Sequence, residues 1–319
     1  MQEVPIRSEW FEGAVSLEAG DGWPRPWRLP FERRRLYDDV LVDRAGTSAG
    51  VRVRFRTDAR RVGLAVVPLD APRSFDLVVG NELIETALLK AGEETVRFER
   101  LAEGSKVVEV WLPQAHAVAV RTVLADRGAG VEAAPDRRRR WVTYGSSITH
   151  CGGAHSPART WPAIAARRGN VHLTCLGFGG NCHLDPLVAA VIRDLPADMI
   201  SLKVGVNIYG SASLSERTFW PNLAAFAQII REKHPTTPLA VVSAIISPPR
   251  ETTPNAVGLT LVKMRQQVRA AVERMRELGD GNVRYFDGLE VFGPELVDPC
   301  LPDGLHPNAE GYERLGENF

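Results

Sequence analysis

From Val51 the chain reads Val-Arg-Val-Arg-Phe-Arg-Thr, an alternation of apolar and polar positions that a strand with one solvated face explains. Residues 62–67, 75–79, 83–88, 95–98 and 106–112 repeat the theme. They are short, rich in Val, Leu and Phe, and separated by turn residues such as Gly80-Asn81 and Ala91-Gly92. No helical period interrupts them. Strands at this spacing predict an antiparallel β-sandwich of jelly-roll type over residues 1–133. The opening segment holds Trp10, Trp23, Trp27 and four prolines by Pro30, and is expected to be irregular. Its tryptophans suit packing, or a platform on which a sugar ring stacks.

Between Gly128 and Arg140 the strand pattern lapses into Gly, Ala, Pro, Asp and an arginine run, which reads as a domain linker. The pattern beyond it is different. Continuous apolar runs at 141–144, 171–176, 199–206 and 239–246 predict strands buried on both faces. Between them, residues 214–234 and 256–278 carry apolar positions three and four apart. Leu223, Phe226, Ile229 and Ile230 form one stripe, and Val262, Val268, Val272 and Met275 another. Strand alternating with helix predicts a doubly wound α/β domain over residues 134–319, with ligands bound beyond the carboxyl ends of its strands.

Composition narrows the function classes. At 319 residues the chain exceeds what one core usually serves, so two domains are expected. Lys plus Arg and Asp plus Glu balance at 39 each, giving no overall field for nucleic acid. The runs Arg33-Arg34-Arg35 and Arg137–Arg140 read as solvated faces or linker. No signal-peptide pattern and no membrane-length apolar run is present, so a cytoplasmic protein without a membrane partner is expected. Cys151, Cys175, Cys182 and Cys300 form no CxxC pair. With His150, His155 and His183 they match no standard metal-ligand spacing. Neither metal nor cofactor is called for.

The strand ends carry the chemistry. After the first buried run comes Tyr144-Gly145-Ser146-Ser147-Ile148-Thr149, a place where a nucleophile can be presented. The GxSxG elbow of α/β-hydrolases is absent. Near the far end stands Asp303-Gly304-Leu305-His306-Pro307. Three residues' separation can put carboxylate and imidazole on one side of a turn. An imidazole held by a carboxylate at Nδ1 keeps Nε2 free to take a serine proton. Asp287 is a rival carboxylate at a strand end. His150, His183 and Asp185 could line a pocket, whereas His116, His172 and His234 have no partner visible in sequence.

Gly145-Ser146-Ser147, then Gly180 within Gly177-Phe178-Gly179-Gly180-Asn181, Asn207 within Gly205-Val206-Asn207, and Asp303 with His306 follow the order of the four SGNH (GDSL-type) hydrolase blocks. The chain resembles that superfamily over residues 140–315. The resemblance implies a flavodoxin-like three-layer catalytic domain and a serine acyl-ester enzyme with Ser147 as nucleophile, His306 as base and Asp303 orienting it. It further implies an oxyanion hole made by the Ser147 amide, the Gly180 amide and the Asn207 side chain. Neutral donors aimed at a tetrahedral intermediate are worth about 2.7–4 kcal/mol each, and Gly180 lets a backbone N–H approach closely. Two positions depart from the family: Ser146 and Ile208 stand where aspartates are usual, which loosens the substrate assignment.

A β-sandwich joined to such a domain resembles carbohydrate esterases that remove acetyl groups and acyltransferases of polyketide tailoring. Small O-acyl ester hydrolysis is the first expectation, and transfer to an alcohol or sugar acceptor by the same acyl-enzyme the second. The third, from another class, is a carbohydrate-binding protein without activity. The short helical pattern from Asn308, with Tyr312 and Leu315, also suggests a native chain continuing past Phe319.

Overall fold

A computed structural model describes residues 1–319. The chain divides into two compact units, Met1–Arg138 with His155–Cys175, and Arg139–Ala154 with Leu176–Phe319.

In the first unit, two antiparallel sheets share one buried core, as the alternating pattern requires. Four strands run in the order Gln2–Pro5, Val120–Ala125, Val62–Val66, Thr95–Phe98. The other main sheet runs Val131–Ala133, Arg52–Thr57, Lys106–Trp111, Arg73–Val79, Glu82–Leu89, with Phe11–Glu12 also paired to Arg52–Thr57. Leu64, Val96 and Val123 from the first and Val53, Phe55, Leu77 and Val110 from the second meet in that core.

Several expectations are corrected here. The opening segment is not irregular: Ser16–Gly20 and Trp23–Trp27 form a hairpin, and Asp39–Ala45 is a helix whose first amides are capped by Asp38. Trp10 is fully buried and Trp27 is 6% exposed, so neither offers a sugar platform; both are packing residues. The stretch around residue 130 is no open linker, because Val131–Ala133 pairs with Arg52–Thr57.

The polar face of Arg52–Thr57 is only partly solvated: Arg56 is exposed, but Arg52 and Arg54 turn to buried partners. Arg52 is 1% exposed, and Glu109, directly opposite Arg54, accepts from Arg54 at 2.5 Å. Asp136, Arg138 and Arg52 complete a buried ionic cluster. Arg52 also donates to the Leu173 carbonyl at 2.9 Å, and Asp76 accepts from the Ala158 amide at 2.6 Å. Both bonds lie within this unit, which takes in residues 155–175.

The remaining strands build a parallel sheet. Strands β1 (Arg139–Gly145), β2 (Val171–Gly177), β3 (Met199–Lys203), β4 (Leu239–Val242) and β5 (Val283–Phe286) lie in the order β2-β1-β3-β4-β5, the flavodoxin-like order. Helices Glu216–Arg231 and Leu261–Glu277 turn Leu223, Phe226, Ile230, Val268, Val272 and Met275 inward. Val262 was expected on that stripe but is 39% exposed; its neighbours Leu261 and Met264 are buried instead. No helix is long and apolar enough to cross a membrane.

Candidate active site

Ser147 follows β1 by two residues and opens the single-turn helix Ser147–His150. Ser146 caps that turn: its carbonyl accepts the Thr149 and His150 amides, and its hydroxyl the Ile148 amide. Serine at the cap is sound local chemistry, so the missing aspartate leaves the turn intact. A Cβ on Gly145 would stand 2.2 Å from Thr149 Oγ1, and one on Gly177 would meet the His150 amide nitrogen at 2.4 Å. Only glycines at these two strand ends let the turn seat so closely. Gly177 is a positional requirement that sequence reading passed over, although its signal lay in the three glycines of the second block.

The histidine arrives from the C-terminal segment. Ser147 Oγ lies 3.0 Å from His306 Nε2, and His306 Nδ1 lies 2.7 Å from Asp303 Oδ2. Asp303 Oδ1 accepts the His306 and Leu305 amides at 2.6 and 2.9 Å. A carboxylate accepts, so Nδ1 carries the proton and Nε2 presents a lone pair to the serine hydroxyl. Burial is the largest single influence on the Asp303 carboxyl and raises its pKa, but the His306 amide and ring and the Leu305 amide together outweigh it and hold the carboxyl down to about 2. The rival Asp287 is engaged elsewhere, capping Leu289 and pairing with Arg269 at 3.4 Å.

Gly180 follows β2, with φ of +75° and open space where a Cβ would be. Its carbonyl accepts from His183 Nε2 at 2.9 Å, while His183 Nδ1 meets Ser213 Oγ at 2.9 Å. His183 therefore braces the loop rather than presenting a free imidazole. Asn207 lies just after Gly205, which caps helix Val206–Ser211 at φ of +124°. Its Oδ1 accepts the Cys182 amide at 3.1 Å. That bond fixes which way the side-chain amide is turned, leaving Nδ2 as the uncommitted end. No protein acceptor takes the Ser147 amide, the Gly180 amide or Asn207 Nδ2.

The other nucleophile candidates are unsuited. All four cysteines are buried and none is disulfide-bonded. Burial pushes the Cys182 thiol up to about 12, so it stays protonated at neutral pH. His150 is buried and takes the Gly179 amide at 3.4 Å. His234 is tied to Leu195 O and Thr237. One trio is spaced for a cation: Glu12, Asp136 and His172, with ligand atoms within 4.8 Å of one another. Arg52 and Arg138 already face Asp136, and their charges oppose a metal there.

A serine hydroxyl on a histidine, the histidine on a carboxylate, at the carboxyl ends of a β2-β1-β3-β4-β5 sheet, defines a class: the serine acyl-ester enzymes of SGNH type. Residues 138–319 match the GDSL-like lipase/acylhydrolase family, and the chain belongs to it. Residues 10–121 match the SsfX3 N-terminal domain. Among solved structures, the salicylyl-acyltransferase SsfX3 from a tetracycline biosynthetic pathway is 37% identical, covering 99% of this chain and 95% of that one, with a TM-score of 0.92. A GDSL-like lipase from Bacteroides ovatus is 19% identical over 99% and 95% of the two chains, TM-score 0.76. A family two carbohydrate esterase from Clostridium thermocellum is 14% identical over 96% and 95%, TM-score 0.69. The last two likenesses speak to fold alone. No curated protein matches the chain.

Proposed function

We propose that Ser147, His306 and Asp303 move an acyl group through an ester on Ser147, and that the transfer ends on an alcohol acceptor. The carrying observation is the unbroken hydrogen-bonded line from Ser147 Oγ through His306 to Asp303. As Ser147 Oγ attacks the acyl carbonyl, its proton passes to His306 Nε2, and the imidazolium forms beside the Asp303 carboxylate. The Ser147 and Gly180 amides and Asn207 Nδ2 receive the oxyanion. When the carbonyl re-forms, the leaving group takes the proton from Nε2. An acceptor hydroxyl then loses its proton to the same nitrogen and attacks the acyl-serine, and Ser147 is regenerated.

Transfer is placed ahead of hydrolysis because an acyltransferase is 37% identical over nearly the whole chain, whereas the carbohydrate esterases lie at 12–16%. The acyl group favoured by the same likeness is a small aromatic one, of salicylyl type. The second reading is an esterase for which water is the acceptor. We assign residues 1–133 as the accessory β-sandwich and 134–319 as the catalytic domain, although residues 134–138 and 155–175 group with the first compact unit.

p-Nitrophenyl acetate, butyrate and benzoate, given to the parent protein, Ser147→Ala and His306→Ala, test the proposal. Nitrophenol release and the mass of acylated protein are followed together. A stoichiometric burst with a persisting adduct, discharged on adding an alcohol, supports transfer. Steady turnover without an adduct, lost in both variants, supports the hydrolase. Undiminished turnover in Ser147→Ala overturns both.

A further inference from the structure

The turn that carries His306 is held from outside the three residues assigned to chemistry. Gly304, between Asp303 and His306, sits at φ of +69°, and Pro249 Cγ and Cδ would lie 3.2 Å from a Cβ placed on it. The Gly304 carbonyl accepts from Ser247 Oγ at 2.6 Å. Ser247 is 1% exposed, which keeps it away from a substrate. It stands in the segment following β4, whose apolar run gave no sign of it in the sequence.

The direction of that hydrogen bond is dictated by its neighbours. Arg250 Nη1 donates to Ser247 Oγ at 3.1 Å. Because a guanidinium only donates and a carbonyl only accepts, the hydroxyl must turn its own proton to Gly304. Ser247 is itself fixed: its amide donates to Glu251 Oε1 at 3.0 Å. Glu251 Oε2 is paired with Arg265, whose buried guanidinium also donates to the Ala244 carbonyl at 3.2 Å. Charge-assisted bonds thus run from helix Leu261–Glu277 to Ser247, whose hydroxyl makes the final, neutral link to the Asp303–His306 turn.

The geometry points to Ser247 as a positioning residue that sets the height of the His306 imidazole over Ser147, acting through Gly304. The inference rests on the acyl-serine reading. A displacement of about 1 Å in such a site costs on the order of 10²-fold in rate, and one bond on a neighbouring carbonyl governs part of that distance. Removing the hydroxyl lowers kcat about 10- to 100-fold and leaves KM within about twofold.

The experiment compares Ser247→Ala and Ser247→Thr with the parent and with Ser147→Ala. It measures kcat and KM on p-nitrophenyl butyrate and the rate of covalent labelling by a fluorophosphonate, with thermal melting alongside. Expected is slower labelling and lower kcat in Ser247→Ala at unchanged KM, and recovery in Ser247→Thr, which retains the donor. A parental labelling rate in Ser247→Ala overturns the inference. So does a loss confined to KM, or a loss that Ser247→Thr fails to restore. Failure of the underlying reading is distinct: the parent itself then takes no label, or Ser147→Ala takes it equally.

Discussion

Asp303 holds both ends of His306: one carboxylate oxygen meets the ring Nδ1 at 2.7 Å and the other accepts the backbone amide at 2.6 Å. Asp303→Asn separates these two roles. The asparagine carbonyl can keep the His306 amide, but its NH₂ then faces Nδ1 and turns the imidazole to the tautomer with hydrogen on Nε2. That tautomer cannot take the Ser147 proton. A loss of about 10⁴-fold in kcat is expected, with the fold preserved; steady-state kinetics beside a circular-dichroism melt measure it.

Asn207 also has two ends, one structural and one uncommitted. Asn207→Ala removes the Nδ2 donor and leaves the Cys182 amide without its acceptor, so kcat falls about 10²- to 10³-fold and stability by about 1–3 kcal/mol. Asn207→Asp keeps an oxygen for the Cys182 amide and loses only the donor. Its melting temperature should stay near the parent's while kcat falls at least as far. Equal activity in Asn207→Asp and the parent would remove Nδ2 from the oxyanion site.

Glu109 is the buried anion opposite Arg54 and beside Arg52 and Arg138. Glu109→Ala leaves three guanidiniums facing one another around Asp136. A loss of about 3–5 kcal/mol in unfolding free energy is expected, read from urea denaturation. A change below about 1 kcal/mol would mean that solvent reaches the cluster.

His172 donates to Glu12 from Nε2 at 2.7 Å. Burial, then the neighbouring Arg52 charge, lower its pKa, with Glu12 and Asp136 opposing. The folded protein therefore binds a proton at His172 less readily than the unfolded chain does. This contribution to stability is full above the ordinary histidine pKa of about 6.5 and is lost as pH falls through that value toward the folded one. The parent's melting temperature should drop more between pH 7.5 and pH 5.5 (roughly one unit either side of that pKa) than that of His172→Gln. Parallel profiles would assign the acid sensitivity elsewhere.

Much of this was legible in the chain. The period-two run at Val51 and the four continuous apolar runs are local signals, and they separated an antiparallel unit from a parallel one. The proposed nucleophile, base and carboxylate could be singled out because Asp303 and His306 lie three residues apart and the glycine-rich blocks follow strand ends; the structure brings the three side chains within hydrogen-bond reach. What stayed hidden depended on distant partners. Arg52 alternates like a solvated residue, yet Glu109 and Asp136 bury it. The hairpin at Trp23–Trp27 contains Pro24 and Pro26, which argue against a central strand and are tolerated in a two-stranded one. Helix Asp39–Ala45 is capped by Asp38, but its seven residues show too little periodicity to mark a helix in the sequence.

The short separation of Asp303 and His306 has a thermal consequence. Their pairing closes a loop of three residues, so it costs little entropy and survives local loosening. The 3.0 Å contact of His306 with Ser147 spans 159 positions of chain and exists only while the sheet and the C-terminal segment stay docked. On warming, the Asp303–His306 pair is expected to stay together while its gap to Ser147 widens first. Inactivation should therefore precede global melting, with the enzyme falling silent while most of its backbone is still folded.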